Sequence, residues 1–285
     1  MSGFSINTNS AAQIALQNLS ATQSKLQRTQ NIMSTGLKVA SAQDNGATYA
    51  IATRERSDVA SLGTLQTGIE NAKSVTDVAL SAGDSLQSLL SEMKEKALAA
   101  SDSSLDTTSR SALSGDLQQL VEQYNQTQSS ADFNGINLLE GQSLKVPASL
   151  NGGTITVAPV DMALGGFGGL FSGSSSQLAN LSTTIPVSLS TTTLASEWTE
   201  ALDMAIDQAG ARLAALGTQS SQLDRQTTLL SKLSDTMTSG IGNLVDADMA
   251  NESATLQSLQ TKEQLGVQAL SIANQAPSVV LSLFR

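Results

Sequence analysis

The sequence predicts a mainly α-helical chain, built as a long antiparallel helical rod with further helices at both termini and a small, irregular, β-rich insert in the middle. Three observations carry this. Apolar residues recur at alternating steps of three and four in four separate stretches, two toward each end of the chain. Between them lies a segment rich in Gly, Ser and Thr. Aromatic residues make up only 3% of the 285 residues, and the apolar content is mostly Ala, Leu, Ile and Val, which suits helices that bury stripes along their length rather than a thick central core.

The first stretch follows Ala12, Leu16, Leu19, Gln23, Leu26, Gln30, Met33 and Leu37, where two polar members make the stripe weak. Its burial is therefore expected to be completed only on assembly. A second stretch runs unbroken through Leu62, Leu65, Ile69, Ala72, Thr76, Ala79, Gly83, Leu86, Leu90, Met93, Ala97 and Ala100. A helix from Ala47 to Ala100 would be roughly 80 Å long at about 1.5 Å per residue. Ser101 to Thr108, rich in turn and cap formers, should reverse the chain into a helix carrying Leu113, Leu117, Leu120 and Tyr124. Asn134-Gly135, set between Phe133 and Ile136, then predicts a tight turn.

From Gly141 to Thr193, alternations such as Thr154-Ile155-Thr156-Val157 favour short strands and loops. Helical spacing resumes at Leu202, Ile206, Ala209, Leu213, Leu216, Ser220, Leu223, Thr227, Leu230, Ser234, Met237 and Ile241, the return arm of the rod. Gly240 and Gly242 are expected to break it. A last stripe, Leu265, Ala269, Ile272, Ala276, Val279 and Leu283, is expected to be interrupted at Pro277. Large apolar residues crowd the end, Val279, Val280, Leu281, Leu283 and Phe284, and such a tail calls for a partner surface rather than solvent.

Composition excludes several classes of function. The net charge of −10, without a basic stripe, argues against nucleic acid. No apolar run reaches the roughly 18 residues of a membrane-spanning helix, and Met1 to Ser10 lacks the pattern of a cleaved secretory signal. With no Cys and no His, thiolate chemistry, zinc ligation of the H-E-x-x-H type and the usual general base are all missing, and no phosphate loop or nucleophile elbow is present. No cofactor, no metal and no enzymatic activity are expected.

Several motifs resemble the bacterial flagellins, most of all those of alphaproteobacteria. They are Ser5 to Asn9, Ala11 to Asn18, Ser34 to Asn45, the stretch Lys94 to Asp102, Phe133-Asn134-Gly135, Asn243 to Ala250, Asn274 to Pro277 and the closing Leu281-Ser282-Leu283-Phe284-Arg285. Their order along the sequence makes the resemblance specific. It implies that the terminal helices pair as a coiled coil lining the lumen of a filament, joined by a spoke to the outer rod. The chain divides accordingly into residues 1–45 (filament-core helix and spoke), 46–140 (first part of the rod), 141–193 (variable outer segment), 194–241 (second part of the rod) and 242–285 (second filament-core helix).

The resemblance further implies a secreted subunit of an extracellular filament that serves swimming motility. Its partners would be other copies of itself or other flagellins, the type III export apparatus and a chaperone, and the filament cap and hook-associated proteins. A hook-filament junction protein of similar build is the alternative. Polymerisation contacts are expected at Leu16, Leu19, Leu26, Met33, Leu265, Ile272, Val279, Leu281, Leu283 and Phe284. Spoke and hinge positions are expected at Gly36, Asp44, Asn45, Gly240 and Gly242, and candidate O-linked sugar sites at Ser172, Ser174, Thr183 and Thr191. Glu92 stands where relatives detected by an animal Toll-like receptor carry an Arg, so recognition by that receptor is expected to be weak.

Overall fold

The computed structural model describes residues 9–164 and 189–282, with side chains to 275 at the C-terminal end. In order, the elements are helices α1 (Ser10–Thr35), α2 (Gly46–Ala100) and α3 (Thr107–Ser129), strands β1 (Leu144–Pro147) and β2 (Thr154–Val157), and helices α4 (Thr192–Val245) and α5 (Met249–Ser282). They fall into two compact units. One comprises residues 1–59 and 235–285 and the other residues 60–234, so the segment boundaries expected at 45 and 241 both lie within the first.

In the second unit, α2 and α4 lie antiparallel. Lys73 pairs with Asp224, the Ser220 hydroxyl with Asp77, and Lys94 with Asp203, so one helix runs down as the other runs up. The stripe read from the sequence is the buried face. Leu62, Ile69, Ala72, Thr76, Ala79, Leu86, Leu90, Met93, Ala97 and Ala100 are all buried on α2, as are Leu202, Ala209, Leu213, Leu216, Leu223 and Leu230 on α4. Gly83 permits the close approach. A Cβ there would sit 2.2 Å from Leu213 Cδ2.

Asp106 caps α3, its carboxylate accepting from the Ser109 amide at 2.9 Å. Arg110, itself buried, donates to the carbonyls of Asp102 and Leu105 and so holds the reversal between α2 and α3. Leu117 and Tyr124 form the inner face of α3, and Tyr124 Oη donates to the Met162 carbonyl at 2.6 Å. Burial raises the Tyr124 phenol well above its ordinary range.

The expected Asn-Gly turn is present. Asn134 and Gly135 both have positive φ, 57° and 79°, and Phe133 and Ile136 exchange both backbone hydrogen bonds across it. After a short 3-10 turn at Leu138–Glu140, β1 and β2 pair antiparallel with Val146 opposite Ile155, so the strand expected at Thr154 to Val157 is found. Val146 and Val157 are buried, and Gln226 of α4 donates to the Ala148 carbonyl beside the hairpin.

Two expected interruptions are corrected. Gly240 and Gly242 do not break α4, which continues to Val245. A helical glycine costs about 1 kcal/mol relative to Ala, and burial of Ile241 and Val245 against Val39 and Ala52 outweighs it. The helix ends instead at Asp246 to Asp248. Pro277 does not end its helix either, since α5 runs to Ser282. Proline leaves the carbonyl four residues earlier without its helical donor. That carbonyl, of Ala273, accepts the side-chain amide of Asn9 at 2.7 Å.

Candidate assembly surface

Within the first unit, α1 and α5 form an antiparallel pair. Asn9 meets Ala273, Leu19 Cδ1 lies 3.2 Å from the position a Cβ on Gly266 would take, and Gln23 donates to Glu263. Asn9 also caps α1, its Oδ1 accepting from the Ala12 amide at 3.0 Å, so one residue both starts one helix and clasps the other.

The pairing face of α1 consists of Ala12, Ala15, Leu19, Thr22, Leu26, Thr29 and Met33, each at least half-buried at steps of three and four. On α5 the corresponding face is Leu256, Leu259, Glu263, Gly266, Leu270 and Ala273. Of the residues expected at polymerisation contacts, Leu19, Leu26 and Met33 therefore pack within the protein's own helix pair. Leu16, Leu265 and Ile272 do not. They are 55%, 57% and 69% exposed, together with Ile14 and Val267.

These five exposed side chains share one stretch of the pair. Ile14 and Leu16 lie between Asn9 and Leu19, and Val267 and Ile272 between Gly266 and Ala273, with Leu265 next to Gly266. Sequence reading missed Ala15, Thr22 and Thr29 because they are small or polar. What places them inside is the close approach that small side chains allow. The side chains of Val279 and Leu281, and all of Leu283 and Phe284, lie outside the described residues, as do Ser172, Ser174 and Thr183. Thr191 is exposed and its hydroxyl accepts the Leu194 amide at 3.2 Å at the start of α4.

The two chain reversals of this unit are laced together. Gly36 ends α1 in the left-handed conformation, φ 73°, with its N–H on the Ile32 carbonyl. Its own carbonyl accepts from Ala247, while the Lys38 amide donates to the Val245 carbonyl at 2.8 Å and Lys38 Nζ to that of Asn243 at 3.0 Å. Asp44 accepts from the amides of Ala40 and Ser41 and from the Ser41 hydroxyl, which hold its carboxyl below the usual range. Asn45 caps α2 through the Thr48 amide. Gly36, Asp44 and Asn45 are thus turn and cap residues, and the break on the C-terminal side falls at Asp246 to Asp248, where Asp248 Oδ1 accepts from the Ala250 amide at 3.0 Å.

No helix among the described residues is long and apolar enough to cross a membrane, and no group of three or more carboxylates among them is placed to hold a metal ion.

Comparison with known proteins identifies the family. Residues 6–143 match the N-terminal helical region of bacterial flagellin, and residues 199–284 match the C-terminal helical region. Flagellin FljM of Caulobacter vibrioides is 45% identical over 283 residues, covering 99% of this chain and 98% of the relative. A flagellin of Brucella melitensis is 37% identical, covering 99% of each. A crystal structure of Bacillus cereus flagellin superimposes with a TM-score of 0.48 at 20% identity, covering 57% of this protein and 88% of that one. Matched at both helical ends and aligned with such relatives over nearly its whole length, the chain belongs to the bacterial flagellin family.

Proposed function

We propose that this protein is a structural subunit of the bacterial flagellar filament, an extracellular helical polymer, and that it self-assembles through apolar side chains left exposed on its terminal helix pair. The family is one of structural proteins, and no catalytic role is assigned. The observation that carries the reading is the exposure of Ile14, Leu16, Leu265, Val267 and Ile272 along one stretch of the α1–α5 pair. Exposed apolar side chains gathered in one stretch cost solubility in a monomer and gain from burial in a polymer.

Completing its burial against neighbouring copies contributes up to roughly 1.5–3 kcal/mol per side chain before ordering costs. Val279, Leu281, Leu283 and Phe284 extend the same assignment to the tail. Export in an unfolded state by the type III apparatus, a chaperone, and contacts with the filament cap and hook-associated proteins belong to this reading through family membership. So does the five-segment organisation at 1–45, 46–140, 141–193, 194–241 and 242–285. A hook-filament junction role is not favoured, since the full-length relatives are named flagellins.

The test is seeded polymerisation of purified monomer, followed by sedimentation. Leu265→Ser with Ile272→Ser should leave the helical circular dichroism of the monomer unchanged and raise the critical concentration by orders of magnitude. Unchanged polymerisation would overturn the assignment.

A further inference from the structure

The sequence contains three Asn-Gly pairs, Asn45-Gly46, Asn134-Gly135 and Asn151-Gly152. In such a pair no Cβ shields the following amide nitrogen, so the backbone can attack the asparagine side chain. The fold treats the three differently.

Asn45 is committed as a helix cap, its Oδ1 accepting from the Thr48 amide at 3.1 Å, and Gly46 begins the long helix α2. At the second restrained pair it is the nucleophile that is engaged: the Gly152 amide donates to the Ser149 carbonyl at 3.2 Å. Asn134 is exposed, and among the described residues neither its side-chain amide nor the Gly135 N–H has a hydrogen-bond partner. What holds it is one two-residue turn, closed by two hydrogen bonds of 3.1 Å between Phe133 and Ile136.

We propose that Asn134 is a site of spontaneous covalent modification, converting through a cyclic imide to aspartate and isoaspartate, while the fold holds back Asn45 and Asn151. The Gly135 nitrogen loses its proton to solvent base and bonds to Cγ of Asn134. The bond from Cγ to Nδ2 breaks, and the amide nitrogen leaves as ammonia after taking a proton from water. Water then opens the imide at either carbonyl. One opening yields aspartate in an ordinary backbone, and the other routes the backbone through Cβ as isoaspartate. Nothing is oxidised or reduced, and water is the only co-reactant.

Attack requires Asn134 to leave its left-handed conformation, which breaks the hydrogen bond from the Ile136 amide to the Phe133 carbonyl. At Asn45 it also requires loss of a helix cap, so conversion there should be slower by roughly fivefold or more. The turn leads into Asn137, whose side chain donates to the Gln128 carbonyl at 2.8 Å and accepts from the Leu139 amide. An added methylene at 134 therefore acts on the anchorage of α3.

The experiment incubates full-length monomer at mildly alkaline pH and follows each pair by peptide mapping with mass spectrometry. Isoaspartate is measured by methyl transfer from S-adenosylmethionine with an isoaspartyl methyltransferase. In native protein Asn134 should convert first, and in strong denaturant the three rates should draw together. Native conversion at Asn134 no faster than at Asn45, or a ranking that denaturant leaves unchanged, would overturn the proposal.

Discussion

Replacing Gly83 by alanine should destabilise the second unit, and the same replacement should stabilise it once Leu213 has been shortened. The added Cβ would lie 2.2 Å from Leu213 Cδ2, 3.3 Å from Cγ and 3.4 Å from Cδ1, so the whole end of the leucine must move rather than one methyl. Leu213 is only 7% exposed, and interiors packed to crystal density leave little room for it. Overpacking of this kind costs about 1–3 kcal/mol, against a gain of about 1 kcal/mol from removing a glycine from a helix interior. The net expectation is a loss of about 1 kcal/mol. Leu213→Ala alone should cost about 2–5 kcal/mol through the cavity it leaves. In that background Gly83→Ala meets no obstacle, keeps its helix gain and partly fills the void, so its sign reverses. Urea unfolding of the four proteins of the cycle, monitored by circular dichroism, reads the coupling directly. If Gly83→Ala stabilises both backgrounds alike, the close approach of α2 and α4 at this point is wrong.

Three further outcomes are expected. Deleting Val279 to Arg285 should leave a folded monomer whose critical concentration for seeded assembly is greatly raised, because five large apolar side chains represent at most roughly 7–15 kcal/mol of burial; sedimentation checks it, and an unchanged critical concentration refutes it. Asn9→Asp keeps a cap acceptor for Ala12 but loses the donor to the Ala273 carbonyl, and should weaken the terminal pair by about 1 kcal/mol; Pro277→Ala, which gives that carbonyl back a helical donor, should remove most of the cost, with hydrogen exchange of α1 as the readout. Asp106 accepts from the Ser109 side chain and amide, which lower its pKa in the folded state, so its stabilisation is present above the unfolded value of about 3.9 and is lost as pH falls through the lower folded value. Asp106→Asn should therefore flatten the acid limb of stability against pH, measured as urea midpoints, and an unchanged limb would refute it.

The sequence alone determined the helices, the faces of the long ones and a strand of the short hairpin that follows α3. The steps of three and four on α2 and α4 name residues that the structure buries, because a long helix with a large apolar partner leaves one phase open. The Asn-Gly turn and the Thr154 to Val157 strand were legible for a similarly local reason, since positive φ and alternation are properties of a few adjacent residues. The terminal helices were different. Their two apolar stripes are weak and nearly equivalent, so spacing alone could not separate the face that pairs within the protein from the face left exposed. Tertiary structure decided it. Thr22 and Thr29 turn inward because the pair approaches closely at small residues, leaving Leu16, Leu265 and Ile272 outside. Local rules likewise misplaced the breaks at Gly240, Gly242 and Pro277. Glycine and proline set a local cost, and packing of Ile241 and Val245, together with a carbonyl satisfied by the distant Asn9, met that cost from elsewhere in the fold.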